Sequence, residues 1–200
     1  MTRETMIGNG IKYFSSADVQ RLCPLSDLIS HMELAFSTAK LQPTRQHIRL
    51  KDHEDFLVMP TWINSGFFGA KLVSVFERNR HKGFPGVQGV YCLFEPEFGS
   101  PVAIIDAGEL TARRTAAASA LASKYLSRAD AGRLAVLGTG GLVSCFVEAH
   151  SCVREIEDVV IWGRERENAQ RSAGRVLQQV DINVKVATTV AEAGHLHQRY

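Results

Sequence analysis

Between Leu134 and Val186 the chain alternates short apolar runs with helical stretches. Leu134 to Leu137 is followed by Gly138-Thr139-Gly140-Gly141 and a helical stretch to Val153; then come Val159 to Trp162, a helical Glu165 to Gln179, and a strand near Ile182 to Val186. Strand, helix, strand, helix, strand at these lengths is a parallel βαβαβ unit. The glycines stand where the first strand hands over to its helix. Backbone N–H groups and the helix dipole there face the same way, an arrangement that receives a pyrophosphate. An ordinary strand-to-helix turn is the alternative, and the βαβ setting favours binding. The third small residue of a G-x-G-x-x-G pattern is Val143, whose branched side chain is expected to push helix and strand apart.

A carboxylate at the end of the second strand would bond ribose hydroxyls and mark NAD, but the residues there are Ile161-Trp162-Gly163-Arg164. Arg164 offers a planar fork of donors to the 2′-phosphate of NADP, so NADP(H) is expected over NAD(H). A solvated Arg164 within the stretch Arg-Glu-Arg-Glu is the competing reading.

Upstream, Ser15-Ser16-Ala17-Asp18 predicts a helix start and Pro24 opens a second helix through Asp27, Leu28, Met32, Leu34 and Phe36. Beyond Pro43, four apolar runs (Phe56 to Met59, Phe67 to Phe76, Val87 to Phe94, Val102 to Ile105) are separated by Gly, Pro and Asn, which predicts a small, mostly antiparallel sheet. Leu110 to Tyr125 is alanine-rich and free of Gly and Pro, a helix with small residues facing a close neighbour. The boundary between the two regions is expected near Ser127 to Gly132.

The 23 basic and 21 acidic residues among 200 leave a net charge of +2, with no footprint for nucleic acid or an anionic membrane. No stretch approaches the roughly 20 apolar residues of a membrane span, so a cytoplasmic protein is expected. Cys23, Cys92, Cys145 and Cys152 form no metal or dithiol pattern and are expected to be buried thiols; no metal site is expected. None of the histidines has metal spacing or a partnered nucleophile, His195 and His197 of the tail included.

Lys71 lies inside an apolar run, where an ammonium needs an anion or an edge strand. Arg113 and Arg114 interrupt the alanine-rich helix, and Arg45 follows Pro43 before a strand. Together these cations suit a carboxylate, which guanidinium groups bind through two parallel hydrogen bonds. Each alone reads equally as a snorkelling or solvated side chain.

The segments QPTRQ (42 to 46), FLVMP (56 to 60), GAKLVSVFERN (69 to 79), GFPGVQGVYCLF (83 to 94), LTARRTAAASALASKYL (110 to 126) and LAVLGTGG (134 to 141) resemble the ornithine cyclodeaminase and mu-crystallin family. The resemblance covers nearly the whole chain to about residue 190. It implies a mixed α+β substrate and dimerisation domain over residues 1–130, then an incomplete Rossmann βαβαβ domain over 131–200, within the α/β class. It also implies a homodimer acting on an amino acid or cyclic imino acid with a nicotinamide cofactor. By position, Arg45, Lys71 and Arg114 hold the substrate carboxylate, Lys71 assists proton transfer, and Arg114 approaches the cofactor. Arg113 has no counterpart. Gly138 to Gly141 match the family's glycine turn, with Leu142 and Val143 replacing its glutamine and alanine. Gly86 replaces a hydroxyl residue on the cofactor side.

The activities implied are conversion of ornithine to proline with loss of ammonia, or reduction of a cyclic imine. A catalytically silent NADP(H)-binding protein, or a truncated remnant, is the alternative. Family members continue well past residue 200, and GHLHQRY (194 to 200) replaces an expected apolar strand. The denatured mass of the protein from its native cell separates the cases: a value near 22.1 kDa is expected of a natural truncation, and a clearly larger one of an intact enzyme.

Overall fold

A computed structural model of the chain describes residues 5–7, 10–38, 43–63 and 66–194. Gln42 of the QPTRQ segment and the tail histidines His195 and His197 lie outside the described residues. The chain forms two compact units that interleave in sequence: Met1–Cys23 with Thr38–Thr111, and Pro24–Ser37 with Ala112–Tyr200.

The first unit is built on a seven-stranded sheet. Its strands are β1 (Thr5–Ile7), β2 (Ile11–Phe14), β3 (Gln46–Lys51), β4 (Glu54–Trp62), β5 (Phe68–Phe76), β6 (Val87–Phe94) and β7 (Pro101–Asp106), lying in the order β1-β2-β7-β6-β5-β4-β3. Only β2 and β7 pair in parallel. The four strands expected from apolar runs are β4 to β7. The other three were hidden by shortness or polarity: β3 reads Gln-His-Ile-Arg-Leu-Lys and is exposed throughout, as suits an edge strand. Helix α1 (Ser16–Leu22) begins with a reciprocal capping box between Ser15 and Asp18, satisfying N–H groups the first turn leaves unpaired. Strands β5 and β6 approach so closely at Gly89 that a Cβ there would stand 2.1 Å from the Leu72 carbonyl oxygen.

The second unit holds α2 (Leu25–Ser37), most of α3 (Ala107–Leu126), β8 (Arg133–Leu137), α4 (Val143–Ser151), β9 (Asp158–Trp162), α5 (Arg166–Leu177), β10 (Asn183–Val186) and α6 (Val190–Gly194). Its three strands are parallel, in the order β10-β9-β8, so the expected βαβαβ unit is present. Ala116, Ala117, Ala120 and Leu121 form one stripe of α3, buried against Leu25 and Ile29 of α2 and Ala149 of α4. This is the close helix contact that the alanine content predicted. Val143 corrects an expectation: it does not hold α4 off the sheet but is itself buried, packed with Val147, Val159 and Ile161. The segment between α3 and β8 is held by Arg154, whose guanidinium donates to the carbonyl oxygens of Ser123, Lys124, Ser127 and Arg128. The thiols are less buried than expected, and Cys152 is exposed. Among the described residues, no helix is long and apolar enough to cross a membrane.

Helices α3 and α4 also meet through Ser119 Oγ and His150 Nε2, 3.1 Å apart. Burial holds the His150 imidazole below its ordinary value of 6.5, because the charged form loses hydration there. The unfolded chain then binds more protons than the folded one as pH falls through that range, so stability drops toward acid. We expect the urea midpoint to fall between about pH 7 and about pH 5.5, and a His150→Gln variant to show a measurably shallower fall.

Candidate functional site

The side chain of Lys71 is fixed by strand register. β5 lies between β4 and β6, with Lys71 opposite Met59 on one side and Tyr91 on the other, so these three side chains share one face. An interior strand removes the edge explanation for Lys71. Its ammonium is half-buried and donates to Thr111 Oγ1 at 3.2 Å, a contact between residues 40 positions apart. Thr111 lies in the second turn of α3, which follows β7 directly because the Asp106 carboxylate accepts the Glu109 N–H at 2.8 Å and caps the helix.

Tyr91 was not singled out by sequence. A Cβ at Gly69 would stand 2.8 Å from both Cε1 and the hydroxyl oxygen of Tyr91, so the phenol lies across this glycine on the Lys71 face. Half-burial raises the Tyr91 phenol above its ordinary value. The available signal was Gly69 two residues before Lys71, one position opening room beside the other. Arg45 is exposed and directly precedes β3, whose first residue, Gln46, pairs with Val58. Gln46 and Val58 are the first pair of that ladder, so Arg45 stands just outside it. Gly86 closes the loop before β6, its carbonyl accepting the Phe76 N–H at 2.7 Å.

The two arginines of α3 differ sharply. Arg113 is only 6% exposed, and its Nη2 lies 3.4 Å from Glu148 Oε1 of α4. Arg114 is exposed. The helix therefore turns one guanidinium into its own packing and leaves the next one available.

The glycine turn runs from the end of β8 into α4. Gly138 has φ +145°, a conformation that favours glycine, and its N–H donates to the Trp162 carbonyl at 2.8 Å, tying the turn to β9. At Gly140 and Gly141 a Cβ would meet nothing within 4 Å. Leu142 stands at the head of α4 without a side-chain cap. The backbone N–H groups of Gly140, Gly141 and Leu142 have no partner among the described residues. Open space, unpaired donors and a helix N-terminus fit a dinucleotide pyrophosphate. Thr139 is pressed against β9: a Cβ at Gly163 would stand 2.3 Å from Thr139 Cγ2. Arg164, next in the chain, is exposed.

Residues 12–196 match the sequence model of the ornithine cyclodeaminase/mu-crystallin family. The chain is 33% identical over 193 residues to the Delta(1)-pyrroline-2-carboxylate reductase of Colwellia psychrerythraea, a match covering 89% of this chain and 61% of that protein. It is 31% identical over 172 residues to the ketimine reductase mu-crystallin of Rattus norvegicus, covering 85% and 54%. Among solved structures it matches Thermococcus litoralis Delta(1)-pyrroline-2-carboxylate reductase in complex with NADH and L-proline, with a TM-score of 0.84 and 29% identity, over 90% of this chain and 58% of that one. The chain spans 54% to 61% of the length of these curated relatives.

Proposed function

The chain belongs to the ornithine cyclodeaminase/mu-crystallin family, and we propose that it serves as a nicotinamide-dependent reductase of a small cyclic imino acid of the Delta(1)-pyrroline-2-carboxylate kind. Reduction is preferred to ornithine cyclodeamination because the relatives compared above carry reductase names. The observation that carries the reading is Lys71, a half-buried ammonium on an interior strand, fixed at 3.2 Å from the Thr111 hydroxyl. A cation held in one place by its neighbours is prepared for an anionic substrate and loses little freedom on binding it.

In this reading Arg45, Lys71 and Arg114 bind the substrate carboxylate, the two guanidinium groups setting its orientation through paired hydrogen bonds. Lys71 also holds the proton that passes from Nζ to the ring nitrogen, and Thr111 keeps Nζ on that line. Gly138, Thr139, Gly140, Gly141 and Leu142 hold the dinucleotide, with Gly86 and Arg114 on the cofactor side and Arg164 on the 2′-phosphate, which favours NADP(H) over NAD(H). The bound nicotinamide supplies the hydride. We assign residues 1–130 to substrate binding and dimerisation and 131–200 to the dinucleotide. The dimer partner is a second copy of this chain, meeting the sheet face opposite Lys71, where Phe68 and Phe94 stack at 5.3 Å. A cytoplasmic location accompanies this reading.

The test is loss of nicotinamide absorbance when the full-length protein is mixed with NADPH or NADH and Delta(1)-pyrroline-2-carboxylate. Lys71→Ala is expected to lower kcat about 10²- to 10⁴-fold, the usual contribution of a positioned proton donor. Arg164→Glu is expected to move the preference from NADPH toward NADH. Normal turnover by Lys71→Ala removes its role, and dinucleotide binding without turnover of any amino or imino acid favours the silent protein.

A further inference from the structure

We infer that Ser172 and Arg175 of α5 are positioning residues for the dinucleotide turn, orienting the Gly140 N–H toward the pyrophosphate by holding the preceding carbonyl. The inference rests on the nicotinamide-binding function proposed above.

Ser172 is 0% exposed, a buried hydroxyl on a helix face otherwise made of Ala169, Ala173 and Val176. Its Oγ donates to the Thr139 carbonyl oxygen at 3.0 Å, across 33 positions of sequence. Arg175, one turn further along α5, donates from Nη2 to Ser172 Oγ at 2.7 Å and reaches the same carbonyl at 3.5 Å. A guanidinium can only donate, so Ser172 Oγ accepts from Arg175 and its own hydrogen is committed to Thr139. The hydroxyl thus has a single orientation, and the positive charge behind it strengthens the chain of bonds.

A trans peptide points its carbonyl and its N–H in opposite directions. With the Thr139 carbonyl drawn to α5, the Gly140 N–H is turned away from that helix. It faces the side where the turn is open, next to the unpaired N–H groups of Gly141 and Leu142. The Thr139 side chain is held independently, its methyl lying against Gly163. Carbonyl and side chain of the same residue are therefore both anchored, which restricts rotation of the Thr139–Gly140 peptide. An anion site gains affinity when its donors are oriented before the ligand arrives. That is the work assigned here to two residues that do not touch the ligand.

Dinucleotide affinity is read from nicotinamide fluorescence as the full-length protein is titrated with NADPH and NADH, alongside Ser172→Ala, Arg175→Met and Arg175→Lys. Both Ser172→Ala and Arg175→Met are expected to bind roughly tenfold more weakly, with Arg175→Lys recovering part of the loss. The unfolding midpoint of ligand-free Arg175→Met should match that of the parent, since Arg175 is exposed. The amide resonance of Gly140 should shift on adding NADPH to the parent and shift less in the variants. Parent-like affinity and a parent-like Gly140 shift in Arg175→Met and Ser172→Ala overturn the inference while leaving the proposed function standing. If Ser172→Ala does not fold, Arg175→Met decides alone. A parent protein that binds neither dinucleotide overturns the function and this role with it.

Discussion

The unbroken antiparallel register of β4, β5 and β6 sets the face and height of Lys71 and of the residues level with it. Opposite residues in such a ladder share a face, so placing Lys71 between Met59 and Tyr91 leaves its side chain one direction to take. A slip of one residue would send the ammonium to the face where Phe68 and Phe94 stack. The register is pinned by close approaches that tolerate only glycine: Gly89 against the Leu72 carbonyl, and Gly69 beneath the Tyr91 ring. The glycines thus act on chemistry at one remove. They fix which pairs form, and the pairs fix where the cation stands.

In the second unit the same economy operates at a turn instead of a ladder. Thr139 is the one side chain of the glycine segment able to hold it, so most of its conformation is imposed from outside. Gly138 donates to the end of β9, the Thr139 methyl lies against Gly163, and the Thr139 carbonyl is taken by Ser172. The donors of Thr139, Gly140, Gly141 and Leu142 are left without partners among the described residues. Every helix head leaves such N–H groups unpaired, and at this one they stand beside open space.

The sequence made the parallel unit, the two leading helices and four strands of the sheet legible, because each has its own periodicity. Polar β3 offered only Ile48 and Leu50 alternating among polar residues, a short signal without an apolar run. Lys71 was legible as a problem, a cation in an apolar run, but its partner was not: Thr111 lies 40 positions away, on a helix whose start depends on a cap at Asp106. The arginine pair carried more information than its composition suggests. Arg113 stands three and four residues before Ala116 and Ala117, on the buried stripe of α3, whereas Arg114 is turned off it by one position. Helical phase alone separates the structural guanidinium from the available one. Ser172 had no comparable mark, since a serine in a polar helix reads as solvated until the helix is placed against the turn.

Val143 shows why a motif departure need not disable a site. A small third residue lets helix and strand backbones touch, but the demand is for filled volume, which a branched side chain also meets when its neighbours leave room. Here Val143 enters a cluster of Val147, Val159, Ile161 and Val176, with Ala169 and Ala173 supplying the small surfaces on the facing helix. Bulk stands on α4 and small residues on α5. That division also determines what α5 can offer the turn. With small residues flanking it, Ser172 comes within 3.0 Å of the Thr139 carbonyl, a reach its short side chain would not have across a bulkier face. The departure at Val143 and the hydrogen bond at Ser172 are thus two consequences of one packing arrangement, and neither residue is interpretable from the glycine motif alone.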